Sequence, residues 1–313
     1  MDSMAFADDD AGALDEWAGS HHPIVVAVDG SVRNQSAVDW AAHEAGALGC
    51  RLDLVTALPD RILDSPQVPT DDDVGALDML ARTRSTIVHL VADQQVTTAA
   101  VPGTPLDVLL ERARGARLLV VGKRGLGSFA RVIVGSTSIA LAGRSPVPVA
   151  IVPERWQQAE HAEGPVVLGV DPHRPDHRAF HLAFRRADHL GVPLVAVHGW
   201  ESPAVYSWDA AGVAGISSQW EQEATALFEQ VVKVWQDRFP RVSVRAAHRH
   251  KHPANAVLEE SADAQLVVLG RHSEGIFGGF AFGSVARAVL HYVETPVIVV
   301  PTEPVLTNGD ADL

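Results

Sequence analysis

Short, largely apolar runs recur along this chain and alternate with stretches whose apolar residues are spaced as on one face of a helix. In the first half these runs occupy Ile24–Val28, Leu52–Ala57, Leu118–Val121 and Val149–Val152, each close to a Gly or a Pro. Such runs are typical of parallel strands that are buried on both faces.

The stretches between these runs predict helices. The clearest pattern has the 3.6-residue period of an amphipathic helix and consists of Trp220, Ala224, Leu227, Phe228, Val231, Val232 and Trp235. Another helix is predicted to begin at Thr104-Pro105, because threonine caps an N-terminus and proline suits the first helical position. His252-Pro253 stands at the corresponding place later, and histidine is a poorer cap. Strands that alternate with helices predict an α/β fold of doubly wound, Rossmann-like parallel sheets.

The chain contains this pattern twice. "PIVVAVDGS" begins at Pro23 and "PVVLGVDPH" at Pro165, which places Asp29 and Asp171 142 residues apart. Later landmarks such as Gly122 and Gly270 lie 148 residues apart, so the second copy has a longer connection after its second strand. We therefore predict a tandem duplication, with an acidic tail at 1–20, domains at 21–153 and 165–301, a linker at 154–164 and a tail at 302–313.

Two glycine-containing stretches follow the fourth strand of the two copies. The first, "GKRGLGSFARVIVGST", contains Gly122, Gly125 and Gly135-Ser136, and the last pair opens a predicted helix. In open parallel sheets ligands bind beyond the carboxyl ends of the strands. Glycine permits left-handed angles and close approach, and a helix N-terminus suits phosphate. This arrangement predicts a phosphate cradle, although it matches neither the Walker A loop nor the dinucleotide fingerprint.

The combination of "VAVDGS", Gly-x₂-Gly-x₉-Gly-Ser and "SPVPVAIVP" resembles the universal stress protein family, in its tandem two-domain form from about Pro23 to Pro301. The resemblance implies ATP binding, with or without Mg²⁺. It places Asp29 at the ribose or adenine side and the Ala57 backbone at the adenine edge. The phosphates would be held by Gly122, Gly125, Gly135, Ser136 and Thr137. The corresponding positions of the second copy are Asp171, Gly199, Gly270, Ser273, Gly283, Ser284 and Val285.

The second copy departs from the glycine pattern at Ser273, which stands where the first copy has Gly125. Serine adopts positive φ at a cost of roughly 1–2 kcal/mol, which corresponds to about tenfold in affinity. The cationic residues Lys123, Arg124 and Arg131 of the first stretch are also partly lost, and Glu274 enters the second. We therefore expect the first site to bind ATP and the second to bind it at least tenfold more weakly.

Composition and charge restrict the kinds of partner and the cellular compartment. A net charge of −14 argues against nucleic acid or an anionic membrane as a partner. No apolar run reaches the roughly 20 residues of a membrane span, the N-terminus is acidic where a secretory signal is basic, and Cys50 is the single cysteine. These features favour the cytoplasm.

Several further hypotheses remain open at this stage. The alternating His248, His250 and His252 could hold a metal, but they lack a neighbouring carboxylate or cysteine cluster and are interpreted as loop residues, one of which could face the nucleotide. The resemblance also implies that Val149–Val152 pairs with Val297–Val300, which would make the chain its own pseudo-dimer; a homodimer and a protein client are left open. The favoured function is a nucleotide-dependent stress sensor or switch. The alternatives are an enzyme, either a slow ATPase that uses Asp29, Lys123 and a metal ion or an adenylate-handling catalyst, and a nucleotide-free interaction scaffold.

Overall fold

The computed structural model of the chain describes residues 22–59, 71–124, 134–201, 210–271 and 283–301. These residues form ten strands and eight α-helices. The strands are β1 (Ile24–Ala27), β2 (Leu52–Leu58), β3 (Val96–Pro102), β4 (Leu118–Gly122), β5 (Val149–Val152), β6 (Val166–Gly169), β7 (Leu194–Gly199), β8 (Val244–Arg249), β9 (Leu266–Arg271) and β10 (Val297–Pro301).

The helices alternate with the strands, as the sequence predicts. They are α1 (Gln35–Leu48), α2 (Asp71–Ile87), α3 (Pro105–Ala113), α4 (Ser136–Arg144), α5 (His177–Leu190), α6 (Ala210–Arg238), α7 (Pro253–Glu260) and α8 (Ser284–Tyr292). The Oγ1 of Thr104 accepts a hydrogen bond from the Asp107 amide and caps α3. Phe228, Val231, Val232 and Trp235 of α6 are buried, and Ala224 and Leu227 are half-buried. This confirms the C-terminal part of the predicted apolar face, and the side chain of Trp220 lies outside the described residues.

All ten strands belong to one sheet, in the order β3-β2-β1-β4-β5-β10-β9-β6-β7-β8. Within each half the strands are parallel, and the strand order reverses between β1 and β4 and again between β6 and β9. Those two points are where ligands bind in doubly wound sheets. Both candidate cradles therefore lie at topological switch points.

The two halves meet through β5 and β10, which pair antiparallel. This confirms the predicted pairing and makes the chain an intrachain pseudo-dimer. Ala150 lies opposite Ile298, and these two residues occupy equivalent positions of the two copies, 148 residues apart. A pseudo-two-fold axis therefore passes between them.

Helices cover both faces of the sheet because neighbouring residues of each buried strand point to opposite sides. On one face Ile24 and Val26 pack with residues of α1, α2, α5 and α6, and on the other face Val25 packs with residues of α3, α4, α7 and α8. Each apolar cluster contains residues of both halves. The pseudo-dimer is therefore joined by a shared core as well as by one strand pair.

The predicted linker packs against the domains. The Glu154 carbonyl accepts a hydrogen bond from the Ser36 hydroxyl at 2.6 Å, and Trp156 is buried in the core. The Gln265 side-chain amide donates to the carbonyls of Ala162 and Gly164 at 3.1 and 2.6 Å. The connection between the halves is therefore fixed at several points.

Candidate functional site

The first cradle lies where β1 and β4 end side by side. Asp29 follows β1, and its Oδ1 accepts a hydrogen bond from the Ser31 amide at 2.9 Å, which orders the turn. Gly30 within this turn has φ +73°, and a Cβ on it would lie 2.4 Å from the Met79 sulfur. The positive φ favours glycine here, whereas the flexible Met79 side chain could move to make room for a Cβ. Val32, two residues later, is 92% exposed at the rim of the cradle.

Gly122 and Gly135 bring the end of β4 to the start of α4. The Gly135 amide donates to the Lys123 carbonyl at 2.8 Å, and the Ser138 hydroxyl donates to the Gly122 carbonyl at 2.8 Å. A Cβ on Gly122 would lie 3.1 Å from the Arg124 carbonyl oxygen and 3.4 Å from Nδ2 of the buried Asn34. A larger residue at Gly122 would therefore need the Arg124 carbonyl to move by a few tenths of an ångström.

The N-terminus of α4 is open. Gly135 is its N-cap, no side chain caps it, Ser136 is exposed and Thr137 is half-buried. The free N–H groups of a first turn, together with the positive end of the helix dipole, favour an anion. The structure brings Asp29, Gly122, Gly135, Ser136 and Thr137 to the same edge of the sheet.

Gly125 and Ser273, on which the predicted difference in affinity depends, lie outside the described residues, as do Arg131 and Glu274. The left-handed angles expected for the motif glycines do not occur at the described ones. The described glycines with positive φ are Gly30, Gly49, Gly103 and Gly191. At Gly122 the requirement for glycine therefore comes from close packing.

The second cradle has the same backbone plan and different side chains. Asp171 follows β6 and accepts a hydrogen bond from the His173 amide at 3.0 Å, and Gly283 is the N-cap of α8 without a side-chain cap. Ser284 is exposed and Val285 half-buried at the helix start. Val285 stands where the first cradle has Thr137, so the first turn of α8 has one hydroxyl donor fewer than the first turn of α4.

Asp176 is a second difference. It occupies the position equivalent to Asn34, caps α5 through a 3.1 Å hydrogen bond from the Ala179 amide, and faces Gly270. A Cβ on Gly270 would lie 2.5 Å from Asp176 Oδ2. The second cradle thus has a carboxyl group where the first has a side-chain amide, which is less favourable for a polyphosphate.

A ring cluster borders the second cradle at the ends of β7 and β8. His198 is buried, its Nδ1 lies 3.1 Å from the Val170 carbonyl oxygen, and its ring centroid lies 5.3 Å from that of His248. Trp200 stacks on His250 at 4.3 Å. Burial lowers the pKa of His198. His198 and Trp200 were not among the residues predicted for the site. The pairing of β7 with β8, which places His198 beside His248, brings them to the histidine stretch.

The described residues contain no group of three or more His, Cys, Asp or Glu that could hold a metal ion. The histidine stretch is therefore better explained by ring packing than by metal binding. Cys50 is 2% exposed and belongs to the apolar core.

Gly199 and Ala57 occupy equivalent positions, at the last residue of β7 and the residue before the last of β2, and were expected at the adenine edges. Ala57 is half-buried in β2, opposite Val101. Gly199 is buried, and a Cβ on it would lie 2.6 Å from Pro253 Cα. The described structure thus gives Gly199 a packing role at the start of α7.

The residues that follow Gly122 and Gly270 extend across the pseudo-two-fold axis. Lys123 Nζ donates to the Val293 carbonyl at 2.6 Å, and Arg271 Nη1 donates to the Ser145 carbonyl at 2.8 Å. Val293 and Ser145 are the C-cap residues of α8 and α4. Each half therefore caps the last helix of the other half, and this bond uses one of the three N–H donors of the Lys123 ammonium.

Burial lowers the pKa of Lys123 to about 8, and the charge of Arg124 acts in the same direction. A lysine with a lowered pKa binds fewer protons in the folded state than in the unfolded state, so its contribution to the free energy of unfolding rises with pH. The free energy of unfolding should rise between about pH 8, the pKa of Lys123 in the folded protein, and 10.5, the ordinary lysine pKa. We expect Lys123→Met to remove this rise. The free energy of unfolding should be measured by urea unfolding at several values between pH 7 and 10. Lys251→Met, which changes an exposed lysine, is the control. The same pH dependence in the wild type and in Lys123→Met would contradict the prediction.

No described helix is both long enough and apolar enough to cross a membrane.

Comparison with known proteins agrees with the fold and the repeat. The family model described as "Universal stress protein family" matches residues 21–153 and 164–301. A universal stress protein of Mycolicibacterium smegmatis is 32% identical over 295 residues, which is 90% of this chain and 98% of the relative. A universal stress protein of Mycobacterium tuberculosis is 31% identical over 290 residues, covering 89% and 96%.

Among solved structures, a universal stress protein from Archaeoglobus fulgidus superposes with a TM-score of 0.61. Its sequence is 15% identical, and the match covers 90% of this chain and 96% of the other. The similarity extends over both halves, as the repeat predicts. The chain belongs to the universal stress protein family and has its tandem, two-domain form.

Proposed function

We propose that this protein binds ATP in the first cradle and that nucleotide occupancy acts as a signal or switch in a stress response. The observation that carries the proposal is the junction of β4 and α4. There the Gly135 amide bonds to the Lys123 carbonyl at 2.8 Å, beside Asp29 and beneath an uncapped helix start. This junction offers a phosphate chain backbone N–H groups and the hydroxyls of Ser136 and Thr137.

The second cradle would bind ATP more weakly. Asp176 beside Gly270 would repel phosphate, and Val285 provides no hydroxyl. If Mg²⁺ accompanies the nucleotide, the phosphates and one carboxylate would be sufficient ligands, because protein-bound Mg²⁺ keeps several waters. The expected signature is one high-affinity site per chain.

The slow ATPase alternative used Asp29, Lys123 and a metal ion. Lys123 Nζ donates to the Val293 carbonyl in the other half, so a phosphoryl group would have to compete with this bond for the position of the amine. That observation favours binding over turnover. Phosphate release above background that Asp29→Ala abolishes would instead support the enzyme.

The first test is to denature purified protein and quantify released nucleotide per mole of chain by chromatography and mass. We expect about one ATP per chain and its loss in Asp29→Ala, whereas Asp171→Ala retains it. The two variants remove matching carboxylates and so control for each other. Equal affinity in both variants would refute a difference between the cradles. No nucleotide, and no binding on addition of ATP, would leave the interaction scaffold as the better account.

A further inference from the structure

One residue, Lys123, contacts the start of a helix in its own half and the end of a helix in the other half. Its carbonyl oxygen accepts a hydrogen bond from the amide of Gly135, the N-cap of α4, at 2.8 Å. Its Nζ donates to the carbonyl of Val293, the C-cap of α8, at 2.6 Å. The first cradle and the last turn of α8 are therefore separated by one lysine side chain.

The groups around this contact are mostly cationic. Arg287 and His291 lie four residues apart on α8 and so share one helix face. Burial lowers the pKa of His291, and the charges of Arg287 and Lys123 act in the same direction. Besides burial, the charge of Arg124 lowers the pKa of Lys123, whereas that of the exposed Glu294 raises it. Lys123 and His291 are thus close enough to influence each other's charge across the pseudo-two-fold axis.

The protonation of Lys123 would change when an anion binds beside it. Its pKa is lowered to about 8, so at pH 8.5 the amine is neutral in about three quarters of the molecules. A phosphate next to the amine favours the charged form, because opposite charges attract. Binding of a phosphate at this place therefore requires the uptake of a proton.

The equivalent contact at the second cradle lacks this property. Arg271 stands in the place of Lys123 and donates to the Ser145 carbonyl at 2.8 Å, and a guanidinium remains protonated in proteins. Gly143 stands in the place of His291. Of these two contacts across the axis, only the one at the first cradle contains groups that titrate near neutral pH.

We propose that the terminal phosphate of a nucleotide in the first cradle accepts hydrogen bonds from Lys123 and His291, which makes the second half a sensor of the length of the phosphate chain. This inference rests on the proposed function, because it requires a nucleotide in that cradle. The N–H groups of the α4 start can hold one phosphate, and further phosphates extend from there toward Lys123. A triphosphate then competes with the Val293 carbonyl for the lysine amine, whereas a monophosphate leaves that bond in place.

Calorimetric titration of the full chain with ATP and with AMP at pH 8.5, in two buffers of different ionisation enthalpy, tests the proposal. The phosphates of both nucleotides are deprotonated at this pH, so a buffer-dependent binding enthalpy reports protons that the protein takes up. We expect the uptake of roughly half a proton or more per ATP and little uptake with AMP. Lys123→Arg, whose guanidinium is always charged, should bind ATP without this uptake.

Affinities give an independent readout of the same contacts. Lys123→Met should lose about tenfold in ATP affinity relative to AMP affinity, the effect of one charge-assisted hydrogen bond. His291→Ala should lose severalfold in the same ratio. Lys251→Met changes an exposed lysine on the other side of the second half and is the control. It should match the wild type in proton uptake and in the ratio of affinities.

Several results would overturn the inference and leave ATP binding intact. They are ATP binding without proton uptake, equal uptake with ATP and AMP, uptake that persists in Lys123→Arg, and an unchanged ratio of affinities in Lys123→Met or in His291→Ala. A wild-type chain that binds neither nucleotide would instead refute the proposed function, and this inference with it. The two failures are therefore distinguishable in one set of titrations.

Discussion

Replacing Arg186 with methionine is expected to lower the free energy of unfolding by about 3–5 kcal/mol, the usual cost of leaving one member of a buried ion pair without its partner. Arg186 and Glu44 are 8% and 9% exposed, and they pair between α5 and α1. Burial lowers the pKa of Arg186 to about 10, so the guanidinium remains charged at neutral pH. Without it the Glu44 carboxylate would be buried alone.

The matched control is the double variant Arg186→Met, Glu44→Leu. Replacement of a whole buried ion pair by apolar residues is often neutral or stabilising, so the double variant should recover most of the loss. Urea unfolding of the wild type, both single variants and the double variant gives the coupling free energy directly. A loss below about 1 kcal/mol in Arg186→Met, within the range of exposed ion pairs, would show that water screens this pair.

The ion pair also bears on which halves associate. Glu44 and Arg186 lie 142 residues apart and occupy equivalent positions of the two copies. They face each other across the same pseudo-two-fold axis that runs between Ala150 and Ile298. Two copies of the first half, paired in this geometry, would place Glu44 against Glu44. The opposite charges therefore favour association of unlike halves.

Much of the fold could be predicted from the sequence because it depends on local patterns. Apolar runs located the strands, Thr104-Pro105 located the start of α3, and the repeat implied the β5–β10 pairing through the family resemblance. The elements of the first cradle could also be placed, since Asp29 and Gly122 follow strands that are neighbours in a doubly wound sheet.

Contacts across the pseudo-two-fold axis could not be predicted in the same way. The Lys123 side chain bonds to the C-cap of α8 in the other half, whose position the sequence does not reveal. From the sequence alone, a cation beside a glycine motif suggested phosphate binding. The Glu44–Arg186 pair had a usable signal, because equivalent positions carry opposite charges. That signal can be interpreted only once α1 and α5 are known to pack against each other.

The glycines at the predicted sites show a second limit of prediction from the sequence. Their residue type suggested left-handed backbone, yet among the described residues Gly122, Gly135, Gly199, Gly270 and Gly283 do not have positive φ. At Gly270 a Cβ would collide with Asp176, and at Gly122 it would lie 3.1 Å from the Arg124 carbonyl oxygen and 3.4 Å from Asn34 Nδ2. Asn34 and Asp176 come from the segment after the first strand of each half, so their positions are set by tertiary packing.

Gly199→Ala is expected to lower the free energy of unfolding by about 1–3 kcal/mol, the usual cost of overpacking. The added Cβ would lie 2.6 Å from Pro253 Cα and 3.0 Å from the Lys251 carbonyl oxygen. Both neighbours are backbone atoms, so no side chain can rotate away and the start of α7 must move. Urea unfolding measures the loss. Gly115→Ala is the control, because a Cβ there meets nothing within 4 Å.

This variant separates two roles for the end of β7. If Gly199 serves only the approach of an adenine to the backbone, alanine should weaken nucleotide binding and leave stability unchanged, and that result would contradict the packing role. If packing of α7 requires the glycine, stability should fall whether or not nucleotide is present. The first half has Ala57 at the equivalent position. The requirement is therefore specific to the second half, where α7 begins against the strand end.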